Sequence, residues 1–181
     1  MPDTSPVLQT ILERRSVRAF SAAPVEEEKI RQILLAGIYA PSGINKQPMR
    51  FLPLGPGDPK RAVFAEYCKR SRFVADAPML VAVFLDKNKG YHALKDAQGM
   101  GACIQNMLLA ARALGLGSVW VGEMFDSRER IMAELKFATA GKKSPNWDHL
   151  ELHALVCLGY PAETPVAPKR ADISEYVITV E

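Results

Sequence analysis

Arg14-Arg15-Ser16-Val17-Arg18 puts three guanidinium groups and a hydroxyl on one short stretch of backbone. A guanidinium offers a fixed fork of N–H donors that matches phosphate oxygens, and in an extended segment alternate residues such as Ser16 and Arg18 face the same way. The stretch therefore reads either as a grip on a phosphate or as a solvated basic turn. A second concentration of hydrogen-bonding groups is Ala40-Pro41-Ser42-Gly43-Ile44-Asn45-Lys46-Gln47-Pro48. Its prolines and glycine stiffen and turn the chain, while Ser42, Asn45 and Gln47 can satisfy the carbonyls and ring nitrogens of a flat heterocycle. The same residues would also serve as a plain stiff loop.

Other chemistries fail on order or spacing. Gly115-Leu116-Gly117-Ser118-Val119-Trp120-Val121-Gly122 follows a helical pattern and precedes a strand, the reverse of the strand–turn–helix order that a dinucleotide fingerprint needs, and no phosphate-binding P-loop occurs. His149 and His153 are four apart, but their apolar neighbours favour a strand, which spreads them too far for easy chelation with no third ligand in view. No metal is expected. His92 reads as a surface residue at a helix start.

Cys68, Cys103 and Cys157 are odd in number and far apart in sequence, so neither a disulfide framework nor a zinc ribbon is implied, and a reducing cytoplasm fits. Their apolar surroundings suit inert thiols. A net charge of +3 is spread along the chain instead of gathered into a stripe, which argues against nucleic acid as a partner. The longest apolar run, residues 77–85, falls short of the roughly 20 residues of a membrane helix, and the N-terminus lacks the pattern of a signal peptide. With 48% apolar and 24% charged residues, residues 1–181 should form one globular domain.

The elements that must position these groups follow from periodicity. A short helix over residues 6–14 begins after Ser5 as its cap, with Pro6 in its first turn. A second follows Pro24, with Glu26, Glu27 and Glu28 at its start and Ile30, Ile33, Leu34, Gly37 and Ile38 as its apolar face. Residues 51–54 form a short strand that Pro53 confines to a sheet edge or strand end. Residues 60–70 make a third helix, and the uninterrupted apolar run 79–85 is a strand buried on both faces. Residues 91–114 form the longest helix, apolar nearly all round and stopped by Gly115 and Gly117, so it needs cover on every side, as at a subunit interface. Strands over 118–121 and 151–158 flank a helix over 127–135 capped by Ser127. Prolines 161, 165 and 168 break the tail before an alternating, strand-like run over 176–180 that must pack on something else.

Taken in order, these pieces resemble the FMN-dependent nitroreductases. The likeness rests on RRSVRAF at residues 14–20, APSGINKQP at 40–48, a block over 96–122 that contains QNMLLAARALGLGSVWVG, and a segment over 158–170 that opens LGYPAE and closes KR. It spans nearly the whole chain. The resemblance implies an α+β fold, a central mostly antiparallel sheet flanked by helices, assembled as an intertwined homodimer that exchanges its C-terminal strand.

By the same resemblance FMN lies between subunits. Arg14, Arg15, Ser16 and Arg18 bind it from one chain, with Arg18 near the pyrimidine edge, where its charge would stabilise the reduced ring. Lys169 and Arg170 close over the phosphate. Pro41, Ser42, Gly43, Asn45 and Gln47 come from the other chain, and the backbone of Val121, Gly122 and Glu123 passes the reactive N5. The implied activity is ping-pong transfer from NADH or NADPH, through FMN, to a small organic acceptor such as a nitroaromatic or quinone. Reductive dehalogenation, flavin fragmentation and non-catalytic flavin sensing are the alternatives. Met49 stands where family loops often carry tryptophan, and the short stretch between Gly122 and His149 leaves little material for a lid.

Overall fold

A run as apolar as Met79-Leu80-Val81-Ala82-Val83-Phe84-Leu85 is stable only where both faces of its strand are covered, and in the computed structural model all seven side chains are buried. The structure describes residues 5–141, 143 and 145–180. The buried run lies within β2 (Met79–Asp86), which pairs with β1 (Met49–Leu54) on one side and β4 (Leu150–Gly159) on the other. Beyond β4 lies β3 (Gly117–Val121), and every pairing is antiparallel in the order β1-β2-β4-β3. Pro53 thus sits on an edge strand, where its missing N–H interrupts no ladder.

Helices cover both faces. On one, α2 (Glu27–Ile38) and α5 (Ala93–Ala113) bring Ile33, Met100, Ile104 and Met107 onto Val81, Val83 and Val156. On the other, α3 (Arg61–Tyr67), α4 (Phe73–Asp76) and α6 (Arg128–Thr139) bring Phe64, Val74, Ile131 and Leu135 onto Leu80, Phe84 and Leu155. The helix α5 stops where Gly115 takes a φ of 78° and the N–H of Leu116 returns to the carbonyl of Ala111 at 2.8 Å. Among the described residues no helix is long and apolar enough to cross a membrane.

Two expectations need correction, and two more concern surfaces that only a second protomer would cover. Ile38 ends α2 turned outward, 43% exposed, because the apolar stripe of that helix closes at Gly37, where an added Cβ would stand 3.0 Å from Met107 and 3.2 Å from Cys103 of α5. Neither Ser5 before α1 (Pro6–Glu13) nor Ser127 before α6 makes a side-chain capping hydrogen bond; backbone geometry alone starts both helices. The helix α5 is covered on one side only, leaving Leu94, Gln98 and Gln105 exposed at helical spacing. Residues 176–180, expected as a strand, are not one within the single chain: they follow a 3-10 turn over Ile173–Glu175 with Ile178 and Val180 exposed.

The helix α1 buries no residue; Val7, Leu8, Ile11 and Leu12 are all exposed. Burying one such side chain is worth roughly 1.5–3 kcal/mol, so the single chain leaves a substantial apolar driving force unused at this helix and the tail.

Candidate functional site

Where α1 ends at Glu13, the chain straightens and lies along β3. Ser16 bridges Ser118 in parallel, and the Val17 N–H donates to the Ser118 carbonyl at 3.0 Å. Val17 is buried against Gly117, where an added Cβ would stand 2.8 Å from Val17 Cβ. With Val17 fixed inward, the alternation of an extended segment sends Ser16 and Arg18 to the opposite side. Glu163, reaching in from the tail, accepts the Arg18 N–H at 2.5 Å and the Ala19 N–H at 3.0 Å. These two hydrogen bonds hold its carboxyl below the ordinary glutamate range.

Among the described residues, Arg14, Arg15 and Arg18 form no ion pair. Arg15 instead donates to the carbonyls of Leu12 at 2.6 Å and Arg14 at 2.9 Å, closing the end of α1. A cavity of about 310 Å³ opens here, lined by Arg14, Arg15, Val17, Ser118, Arg112 and tail residues as far as Ala167. Lys169 and Arg170 follow two and three residues later, both exposed.

The loop over residues 41–47 is held in an unusual shape. Ile44, Asn45 and Gln47 have φ of 44°, 57° and 49°, a region costly for residues with a side chain, and the Gln47 N–H donates to Ser42 Oγ at 3.0 Å to close the turn. Gly43 is required by its neighbour, since a Cβ there would stand 2.4 Å from Tyr91 Cδ1. This loop packs near the start of α5, where the Pro41 carbonyl approaches Gly99. The basic segment sits at the other end, where Glu13 pairs with Arg112 at 2.7 Å. At 1.5 Å rise per residue, Gly99 and Arg112 are about 20 Å apart along the helix. One chain therefore does not bring its loop and its basic segment together.

Val121 ends β3, about 13 Å along the strand from Gly117, and Gly122 leads into a 3-10 turn that begins at Glu123. The Glu123 side chain turns inward: Oε1 accepts the Arg70 N–H at 2.8 Å and lies 3.6 Å from Arg70 Nε. Burial opposes its charge, but hydrogen bonds from Ser71 and Arg70 outweigh that and leave the carboxyl below its usual range. Its Oε2 is buried without a hydrogen-bond partner among the described residues, so the side chain faces inward and not toward solvent.

Burial pushes the Cys68 and Cys103 thiols up to about 12 and Cys157 further, and all three cysteines are buried. His153 is the extra residue at a bulge in β4 opposite Val83 and Phe84, with Nε2 3.5 Å from Glu151. His149 lies in a separate 3-10 turn over Trp147–His149.

A family model described as the nitroreductase family matches residues 11–70 and 54–160. The chain belongs to the nitroreductase family. Among solved structures, one from Desulfovibrio desulfuricans described as a nitroreductase in complex with FMN is 36% identical, with a TM-score of 0.89 and 98% of each chain covered. A protein of Methanothermobacter thermautotrophicus described as an NADH dehydrogenase/NAD(P)H nitroreductase is 30% identical over 159 residues, covering 88% of this chain and 79% of that protein. The NADPH-flavin oxidoreductase of Vibrio harveyi is 25% identical over 175 residues, covering 90% of this chain and 69% of that protein.

For a nitroreductase, the chain's donor set suits FMN. Unpaired guanidiniums beside a cavity match a phosphate, and the loop's amide and hydroxyl groups match a flat heterocycle. Two features of this site were not legible in its residue pattern. Glu163 is a lone acid in a proline-broken tail, and Tyr91 is one aromatic at a helix start; each gains its place only through a contact distant in sequence.

Proposed function

We propose that this nitroreductase-family chain is an FMN-dependent oxidoreductase that takes electrons from NADH or NADPH and delivers them to an organic acceptor such as a nitroaromatic or quinone. The observation that carries the reading is the basic segment itself. It is laid along β3 by the Val17–Gly117 contact, with Arg14 and Arg15 lining a cavity that Glu13 and Glu163 also border, and none of its three arginines forms an ion pair among the described residues. Bound FMN supplies reversible two-electron chemistry, loaded by the donor and unloaded by the acceptor in turn, a ping-pong cycle.

The chain's own residues hold and polarise. Arg14 and Ser16 serve the phosphate and ribityl end, with Lys169 and Arg170 closing from the tail, while Arg15 chiefly secures the end of α1. Arg18 contributes a permanent positive charge at the ring end of the site, an electrostatic role that moves no proton.

The working unit in this reading is a homodimer. A two-fold axis across the middle of α5 exchanges the ends of that helix, so the loop over residues 41–47 of one protomer meets the basic segment of its partner. The same assembly covers the exposed stripe of α5, the apolar side chains of α1 and the strand-like tail, which exchanges onto the partner.

Refolding the protein with excess FMN and recording its absorbance tests the proposal. The expected result is a yellow protein that is bleached anaerobically by NADH or NADPH and recoloured by a nitroaromatic or a quinone. Absence of bound flavin overturns it, and bound flavin that stays oxidised for minutes points instead to a sensor.

A further inference from the structure

The Glu123 carboxylate does more than fill space beside β3. It pulls the loop over residues 68–72 onto the turn that follows Gly122, through the Arg70 N–H at 2.8 Å. The same turn runs on to Phe125, whose N–H donates to the Gly122 carbonyl at 3.0 Å and whose ring, half exposed, carries the Arg128 guanidinium 4.4 Å from its centre. The turn thus carries a half-exposed aromatic ring and, through Glu123, holds the loop that bears Arg70.

Within that loop the charges are unequally matched. Lys69 is paired with Glu66 at 2.7 Å. Arg70 approaches Glu123 only through Nε, at 3.6 Å, with its side chain 89% exposed, and its terminal nitrogens make no hydrogen bond among the described residues. Of the acids here, Glu123 and Asp126 of the turn and Glu129 of α6, Glu123 alone forms an ion pair with Arg70 among the described residues. A guanidinium with both terminal nitrogens open is a bidentate receptor for a carboxylate.

We propose that Arg70 selects the electron acceptor, favouring flat aromatic acceptors that carry a carboxylate. This rests on the flavin reading, in which the Gly122–Glu123 backbone borders the reacting ring. Arg70 is tied directly to Glu123, so in that reading its guanidinium borders the face on which an acceptor would stack. A neutral isostere of the same shape lacks the charge and forfeits the paired hydrogen bonds.

The test compares 4-nitrobenzoate with 4-nitrobenzamide as acceptors, and benzoate with benzamide as unreactive ligands of the oxidised, FMN-loaded protein. Benzoate binding is read by calorimetry and by the shift of the flavin spectrum. Arg70→Gln leaves in place the backbone N–H that Glu123 holds. In the parent, kcat/KM for the carboxylate should exceed that for the amide about tenfold, benzoate should bind correspondingly tighter than benzamide, and both differences should collapse in Arg70→Gln. Equal handling of the two acceptors by the parent overturns the inference, as does a preference that survives in the variant. Reducible bound FMN without discrimination sinks this inference alone, whereas failure to bind FMN sinks the flavin reading and this one with it.

Discussion

Val17 occupies the space that a side chain on Gly117 would need, with a built Cβ only 2.8 Å from both Cβ and Cγ1 of Val17. Because Val17 is β-branched and buried, it cannot swing away. This contact, more than any hydrogen bond of the arginines, fixes which way Ser16 and Arg18 face. Gly117→Ala should therefore lift the basic segment off β3, costing about 1–3 kcal/mol by overpacking and weakening FMN affinity. Gly55, where an added Cβ would meet only Met79 Cε at 3.8 Å, is the control for a glycine change as such. Thermal melts and flavin titration of Gly117→Ala check the outcome; parent-like values for both would refute it.

Glu163 titrates in a predictable sense. Its carboxylate accepts the Arg18 and Ala19 N–H groups, which lowers its pKa from the usual 4.5. The contact is therefore complete above pH 4.5 and is lost as pH falls through the lowered value. FMN affinity of the parent should decline over that acid window. Glu163→Gln should start weaker at neutral pH and lack this component of the decline. Titrations from pH 7 down to the acid limit of folding decide it, and superimposable pH profiles for the two proteins would rule the contact out as a determinant.

Arg18 should matter more for reduction than for retention, since the proposed site shares the phosphate among Arg14, Lys169 and Arg170 and assigns the charge at the ring end to Arg18 alone. Arg18→Gln keeps a donor and removes the charge, so flavin reduction at saturating FMN should slow roughly ten- to a hundredfold. Arg14→Ala should instead loosen FMN with a smaller change in that rate. Single-turnover reduction of both loaded variants separates the roles, and a parent rate in Arg18→Gln would contradict the assignment.

Gly101 lies near the middle of α5 with no atom within 4 Å of a built Cβ, on the side that carries exposed Gln98 and Gln105. In an isolated chain Gly101→Ala should stabilise the helix by about 0.5–1 kcal/mol, and a larger residue should be tolerated. If α5 packs against its copy there, Gly101→Leu should split the dimer and release FMN together. Sedimentation at several protein concentrations gives the answer. A leucine variant that stays dimeric and yellow would move the interface off this helix.

Much of the fold was legible because local rules and the global structure agree. The apolar run of β2, the proline of edge strand β1, the glycine stop of α5 and the acidic start of α2 each follow from what a few neighbouring residues can do alone. The basic segment and the 40–48 loop were recognisable as chemical groups for the same reason: guanidiniums, amides and hydroxyls declare their hydrogen bonding in the sequence.

Their arrangement was not. No local pattern places Val17 over Gly117, brings Glu163 back to the Arg18 N–H across 145 positions, or turns Glu123 inward to hold Arg70. Nor does alternation over residues 176–180 make a strand, because a strand exists only where another edge completes its ladder, and the single chain does not provide one there. The outward turn of Ile38 has the same origin, since helical periodicity gives a stripe its spacing while the packing partner sets its width. Sequence by itself determined the elements and the kinds of chemistry available; tertiary structure decided which side chains meet, because contacts between distant residues depend on how whole faces pack.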